Sequence, residues 1–407
     1  MRTINLTAPD FAALEPPKLN TWELTLKTIT PMFGGSAKTR EVDSENPVRP
    51  SSVRGHLRFW WRATAGAGFS SAKELFDAEE KLWGSATVPG LVSLRVETIS
   101  SGIKKPCATY PQGKTFPVFG DYPGYALFPF QGKANREGVQ EQPSETLTDV
   151  QFKVILTYPP EANPQIRAAV NAWVAFGGIG ARTRRGCGSL EMTSEPSLQP
   201  VQRQFDNLLT LIPGQYFVGQ AQQNPTRAWK EAVELYRDFH QKENFARNEG
   251  SERNRPGRSR YPEADTIRRL SGQEAQHHAP THPIRGFPRA DLGLPIVFHF
   301  KDKGDPEDHT LQGAKSDQTR FASPAITKAI AVEGGYAAAL IMLNAPNVWE
   351  NGDLTLKPKN GRDHAIPESQ INLAPAEYAK IVPLEGLPIR EALIEFAESR
   401  EFKKVSL

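Results

Sequence analysis

Two stretches of this chain gather residue types suited to holding an anion. The first runs from Gly177 to Gly188 and places five glycines and three arginines, with no acid, within twelve residues. Arginine presents a planar fork of donors that matches phosphate oxygens. Glycine lets the backbone reach positive φ and come close to a ligand. The Gly177, Gly178 and Gly180 amides, with Arg182, Thr183, Arg184 and Arg185, are therefore candidates to grip a sugar–phosphate chain. The second stretch opens at Arg49-Pro50-Ser51-Ser52 and closes at Arg62. Arg54, Arg58 and Arg62 recur every four residues and make a basic stripe on a helix. No acid lies between residues 47 and 62, so these charges repel and an anionic partner would relieve them. Trp60 or Trp61 can stack a base beside the stripe. Ser51 or Ser52 is placed to cap the helix. A third basic region, residues 247 to 269, holds seven arginines against four acids and includes Arg258 and Arg260.

Other chemistries find fewer residues. His56 stands alone among the basic groups as a general acid or base. Asp43 precedes the basic helix and can be weighed as a divalent-ion ligand. His277, His278 and His282 form a histidine cluster in a glycine- and proline-bounded loop, which reads as a solvated tract before it reads as a metal site. No Walker loop is present, because Gly177-Gly178-Ile179-Gly180 lacks the lysine and hydroxyl that a nucleotide site needs. Cys187 reads as a small packed residue. With Cys107 it is one of only two cysteines, too few for a disulfide framework. The residues call for no cofactor and no metal. The net charge of +3 puts the basic character in patches rather than over the whole molecule. The start of the chain lacks the apolar core of a secretory signal, and Tyr336–Leu343 is too short to cross a bilayer. A reducing cytoplasm is the expectation.

The positioning elements follow from periodicity. Residues 22 to 30 alternate, with Trp22, Leu24 and Leu26 on one face, and predict a half-buried strand. A helix is expected near 51 to 65, with Val53, Leu57, Trp60 and Thr64 sharing a face, and another near 72 to 83. Strands are expected at 91 to 99 and 151 to 158, a helix at 163 to 176, and a last strand from about 187. Residues 100 to 150 hold six prolines and six glycines and read as an insertion with short strands. The order strand, helix, strand, strand, helix, strand is the split βαβ arrangement of ferredoxin-like and RNA-recognition modules. Beyond residue 200 a helix is expected at 226 to 245, strands at 295 to 300 and 336 to 343, and a helix at 389 to 402. The fold class is thus α+β, as tandem ferredoxin-like (RRM-like) domains with long loop insertions. The domains are placed at residues 1 to 200 and 201 to 407.

The same residues resemble the repeat-associated mysterious protein (RAMP) superfamily of CRISPR systems. The resemblance rests on Ile29-Thr30-Pro31-Met32-Phe33-Gly34-Gly35, on Arg49 to Arg62, and on the loop from Gly177 to Leu190. In the second half it includes Arg258 to Glu263, Leu292 to Phe298 and Arg320 to Pro324. The combination is similar to the family of first subunits of the type III-B Cmr effector complex. That resemblance implies two ferredoxin-like domains and a place near the 3′ end of the CRISPR RNA. It also implies capture of target RNA, with the cutting left to other subunits. CRISPR RNA, target RNA and the other Cmr subunits are the expected partners, with no membrane. A metal-independent endoribonuclease that matures CRISPR RNA through His56 is the alternative.

Overall fold

The computed structural model describes residues 18–193, 214–251, 257–275 and 279–405. The first unit is built from β1 (Asn20–Thr28), α1 (Pro50–Ala63), α2 (Ala72–Trp83), β2 (Ser93–Ser100), β3 (Gln151–Tyr158), α3 (Asn163–Phe176) and β4 (Leu190–Met192). Its sheet runs β2-β3-β1-β4 with every pair antiparallel. That order is the ferredoxin-like one, with α1 and α3 as the two crossover helices. The alternation in β1 sets its register: Leu24 faces Val154 and Leu26 faces Phe152, all four fully buried. α3 carries proline in its first turn and is capped at its far end by the Gly177 amide, which donates to Trp173 O at 2.8 Å.

The second unit repeats the plan with little sequence likeness. β5 (Gly214–Gln222) leads into α4 (Pro225–Gln241), whose first turn is capped by the Asn224 side chain accepting from Thr226 N and Arg227 N. A helix α5 (Glu263–Ser271) follows. The hairpin β6 (Ala325–Val332) and β7 (Gly335–Leu343), then α6 (Ile389–Glu398) and the short β8 (Lys403–Lys404), complete it. The strand order is β6-β7-β5-β8, again all antiparallel. A third antiparallel sheet joins Ile296–Phe298, His309–Gly313, Leu354–Pro358 and His364–Ile366. It draws two strands from before the β6–β7 hairpin and two from after it. The molecule is α+β, with two ferredoxin-like sheets.

The two sheets share a core. α1 and α3 lie between them, so one cluster contains Leu24, Phe152, Trp60 and Trp173 together with Tyr216, Ile330 and Ile341 of the second sheet. Each large apolar side chain buried this way contributes about 1.5–3 kcal/mol. The opposite face of the second sheet, with Phe217, Ala338 and Leu340, is covered by α4 and α6. The insertion at 100–150 forms two short strand pairs, and its helix Gly124–Leu127 buries Ala126 and Leu127 against Phe33 and Trp229. It therefore touches both units.

Several expectations shift. The expected boundary between residues 200 and 201 lies outside the described residues. The strand expected from 187 begins at Leu190, because Gly186 and Gly188 hold positive φ in the loop before it. The helix expected to reach 245 stops at Gln241, where Lys242 turns extended. β6 escaped a reading based on alternation because it is buried on both faces, with Lys328 in its middle. Among the described residues no helix is long and apolar enough to cross a membrane.

Candidate nucleic-acid interface

The glycine-rich loop is a joint between the units before it is a surface. Gly177 and Gly178 are buried, and a Cβ at Gly177 would come 2.6 Å from Trp60 Nε1. The Ile179 amide donates to Gly188 O and the Gly188 amide to Pro31 O, both at 2.9 Å. Gly188 holds φ +62, and a Cβ there would fall 1.9 Å from Ile179 O, which excludes any side chain. The expectation that the Gly177 and Gly178 amides face a ligand is therefore corrected: close packing inside the protein requires these glycines. Gly180 is exposed, and its φ of +87 lets the chain pass over Phe33 O.

The three arginines of the loop divide. Arg184 donates to Ser323 O at 2.5 Å and lies 5.5 Å from the Phe59 ring. Arg185 donates to Ala325 O at 2.8 Å and Ser323 Oγ at 3.3 Å, and its guanidinium stacks 4.1 Å from the Tyr236 ring. Trp229 Nε1 donates back to Arg185 O at 2.6 Å. These two side chains clasp the second unit. Arg182 stays exposed in the left-handed region, and its guanidinium has no hydrogen-bond or ion-pair partner among the described residues. Thr183 opens the short turn Thr183–Arg185 and is half-buried.

The stripe on α1 has internal partners. Arg58 and Arg62 donate to the same Glu79 oxygen of α2, at 2.5 and 2.6 Å. Burial pushes the Glu79 carboxyl up, but the hydrogen bonds and charges of Arg62 and Arg58 outweigh it and hold it below its usual range. Arg54 donates to Trp83 O at 2.7 Å and reaches Val92 O. The anion that relieves the stripe is thus supplied from α2, within the protein. Trp60 and Trp61 are both core, and Trp61 Nε1 donates to Gln165 Oε1 at 3.0 Å, so neither is free to stack a base. The helix starts one residue early, with Arg49 rather than Ser51 or Ser52 at the cap position. Proline at the first helical position sets that start. Ser51 and Ser52 stand exposed in the first turn. Arg49 pairs with Asp43 Oδ2 at 2.9 Å and with Gly35 O, while Asp43 Oδ1 accepts from the Asn46 amide at 2.8 Å. Asp43 is thereby used in ordering its loop.

The remaining candidates also have internal work. Arg258 pairs with Asp265 at 2.7 Å and donates to Ala279 O. Arg260 donates to Asn248 Oδ1 at 2.9 Å and Asn244 O at 3.0 Å. His56 packs parallel to Trp173, with ring centres 6.2 Å apart, and burial lowers its pKa. His282 accepts from the Ile284 amide through Nδ1, while His277 and His278 lie outside the described residues. Among the described residues no group of three or more side chains is placed to hold a metal ion.

A different constellation emerges where the glycine loop, the insertion and the second unit meet. Arg289 donates to Glu263 Oε1 at 2.9 Å and stacks 4.7 Å from the Tyr261 ring. Tyr236 lies 4.5 Å from His240 and 6.4 Å from Tyr125 of the insertion, centre to centre. Burial pushes the Tyr125 hydroxyl up to about 12, against the opposing pull of the nearby Arg185, Arg289 and Arg182 charges. Burial and then the charges of Arg289 and Arg185 hold His240 well below its ordinary pKa. Burial, then the charge of Arg289, also lowers the pKa of Arg247. Glu263 is the one carboxylate that pairs with any of these four arginines among the described residues. Sequence reasoning named Arg182 and Arg185 and counted Arg247 within the run 247 to 269, but it did not join them to Arg289, Tyr125 or Tyr236, which come from elements far apart in the chain. Behind the loop, Lys328 is fully buried and donates to Gly177 O at 2.7 Å and Val174 O at 3.3 Å.

The chain is similar to known proteins. The RAMP superfamily model matches residues 25–191, which carry the first sheet, α1, α3 and the glycine-rich loop. The CRISPR system Cmr subunit Cmr1-2 of Pyrococcus furiosus is 31% identical over 179 residues, covering 41% of this chain and 92% of that protein. Cmr1-1 of the same organism is 29% identical over 181 residues, covering 43% of this chain but only 48% of the relative's length. The crystal structure of Cmr1 from Pyrococcus furiosus in its apo form aligns over 95% of this chain and 98% of its own, at 18% identity and a TM-score of 0.47. On the sequence matches, the chain belongs to the RAMP superfamily, among the Cmr1-type subunits of CRISPR Cmr systems.

Proposed function

We propose that this chain is an RNA-binding, non-cleaving subunit of a type III-B CRISPR effector complex, with CRISPR RNA, target RNA and neighbouring Cmr subunits as its partners. A place at the 3′ end of the CRISPR RNA, helping to capture target RNA in the cytoplasm, belongs to the same reading. One observation carries the RNA assignment. Arg185 and Arg289 stack on Tyr236 and Tyr261 at the junction of the units, the charges of Arg185, Arg289 and Arg182 act on Tyr125 beside them, and that of Arg289 acts on Arg247. Among the described residues only Arg289 of the four is ion-paired, so the group leaves a positive field that phosphates neutralise. The resemblance to Cmr1 subunits supports the assembly role. The half-buried, ring-stacked setting of His56 suits packing better than proton transfer to a scissile phosphate.

Arg182 gives the cleanest test because its side chain makes no hydrogen bond or ion pair among the described residues. Arg182→Gln should weaken binding of unrelated single-stranded RNAs alike and reduce the slope of log K against log salt by about one unit. The RNA should remain intact with and without magnesium. Unchanged affinity and slope would take the loop out of the interface, and a discrete cut abolished by His56→Ala would establish the endonuclease instead.

A further inference from the structure

The helical layer on the face of the second sheet away from the shared core contains a cavity that the RNA reading does not use. Its volume is about 160 Å³, and it lies between α6, the turn Val382–Leu384 before it and the segment that follows α4. Phe245, Pro383, Leu384, Leu387, Ala392 and Phe396 give it apolar walls. The Phe245 and Phe396 rings meet with centres 4.6 Å apart, and Phe396 packs on Phe239 of α4 at 5.6 Å. The rest of the lining is Glu385, Glu395 and Ser399, all exposed. The Glu385 and Glu395 side chains make no hydrogen bond or ion pair among the described residues. The last turn of α6 holds Glu395 and Glu398 and no base. Acids there add to the negative pole of the helix dipole. Arg400 lays its guanidinium on the Phe396 ring, 5.1 Å from the centre, and pairs with neither lining acid. Val382, beside Pro383, is 57% exposed.

We propose that this cavity docks a segment of a neighbouring protein subunit that offers an aromatic side chain with a lysine or arginine beside it. The inference rests on the reading of the chain as a complex subunit and adds the surface and the chemistry of its partner. An apolar cavity of about 150 Å³ accommodates a benzene ring, so this one suits a single aromatic side chain. Burying such a ring contributes about 1.5–3 kcal/mol. Two carboxylates on the rim, one of them at the negative end of a helix, favour a cation and repel phosphate, which makes this a protein-facing surface and not an RNA-facing one. A neutral apolar group would leave both acids unanswered, and a cation without a ring would leave the apolar walls in water. A ring and a basic side chain on one segment satisfy both.

The test reconstitutes the effector complex from the whole chain, the other Cmr subunits and CRISPR RNA. With Val382→p-benzoylphenylalanine, irradiation should cross-link the chain to one other subunit, at a segment where an aromatic residue adjoins lysine or arginine. A cross-link to RNA, to a second copy of this chain or to a segment without such a pair would overturn the proposal, as would none at all. Glu385→Lys combined with Glu395→Lys should weaken incorporation about 10-fold while leaving Tm unchanged, because neither side chain holds an internal bond. Equal incorporation of the wild type and the double variant would take the cavity out of the interface and leave assembly in place. If the wild-type chain does not enter the complex, the assembly reading fails, and NMR titration of the chain alone then decides the cavity. Shifts at Phe245 and Leu387 with 2-phenylethylammonium but not with 3-phenylpropionate keep the seat for a ring and a cation. Equal shifts with both, or none, remove it.

Discussion

Lys328 is the residue whose role least resembles its type. It is fully buried in β6 and caps the carboxyl end of α3, giving hydrogen bonds to Val174 O and Gly177 O. A helix C-terminus favours a cation. Burial opposes this and pushes the amine down to about 7. An unfolded lysine titrates near about 10.4. Between those values the unfolded chain binds the proton and the folded chain does not. Stability should therefore rise as pH climbs from about 7 toward 10, by at most about 1.4 kcal/mol per pH unit. Urea midpoints measured across that range should rise in the wild type, and Lys328→Met should lose this component. Parallel profiles for the two proteins would mean that Lys328 keeps its charge when folded.

α1 and α2 explain why a run of like charges forms a stable helix. Arg58 and Arg62 meet at Glu79, whose side chain is only 5% exposed. Removing one partner from such a pair leaves the others desolvated and uncompensated. The arginines are partly solvated, which moderates the loss. Glu79→Gln should thus cost about 2–3 kcal/mol of unfolding free energy, read from chemical denaturation. RNA affinity should stay within about twofold in Arg62→Gln, because that side chain serves α2. A stable Glu79→Gln protein, or an Arg62→Gln protein that loses RNA, would return the stripe to the interface. The helix itself was legible in the sequence: its apolar face buries Val53, Leu57 and Trp60 as expected. The partner of its charges was not, since Glu79 lies on another helix and only packing joins the two.

At the level of the molecule, the helices of the first unit serve both sheets. Trp60 and Trp173 share a cluster with Tyr216 and Ile341, and Arg184 and Arg185 tie the glycine loop to Ser323 and Ala325. A core common to two units couples their unfolding. Thermal transitions followed by far-UV circular dichroism and by tryptophan fluorescence should coincide, and two resolved transitions would show units that melt apart. Periodicity is local, so β1, β3, α1 and α3 could be read from residues within a few positions of one another. The sequence by itself therefore determined the first ferredoxin-like sheet, its crossover helices and the family signature in the glycine loop. The tertiary structure alone decided which charges remain open. Arg58 and Arg62 are answered by Glu79, Arg184 by the Ser323 carbonyl and Arg258 by Asp265, while the Arg182 guanidinium and the Arg289 Nη atoms have no hydrogen-bond partner among the described residues. Whether a charge is spent depends on which groups lie within hydrogen-bond reach, and folding brings those groups from distant positions in the chain.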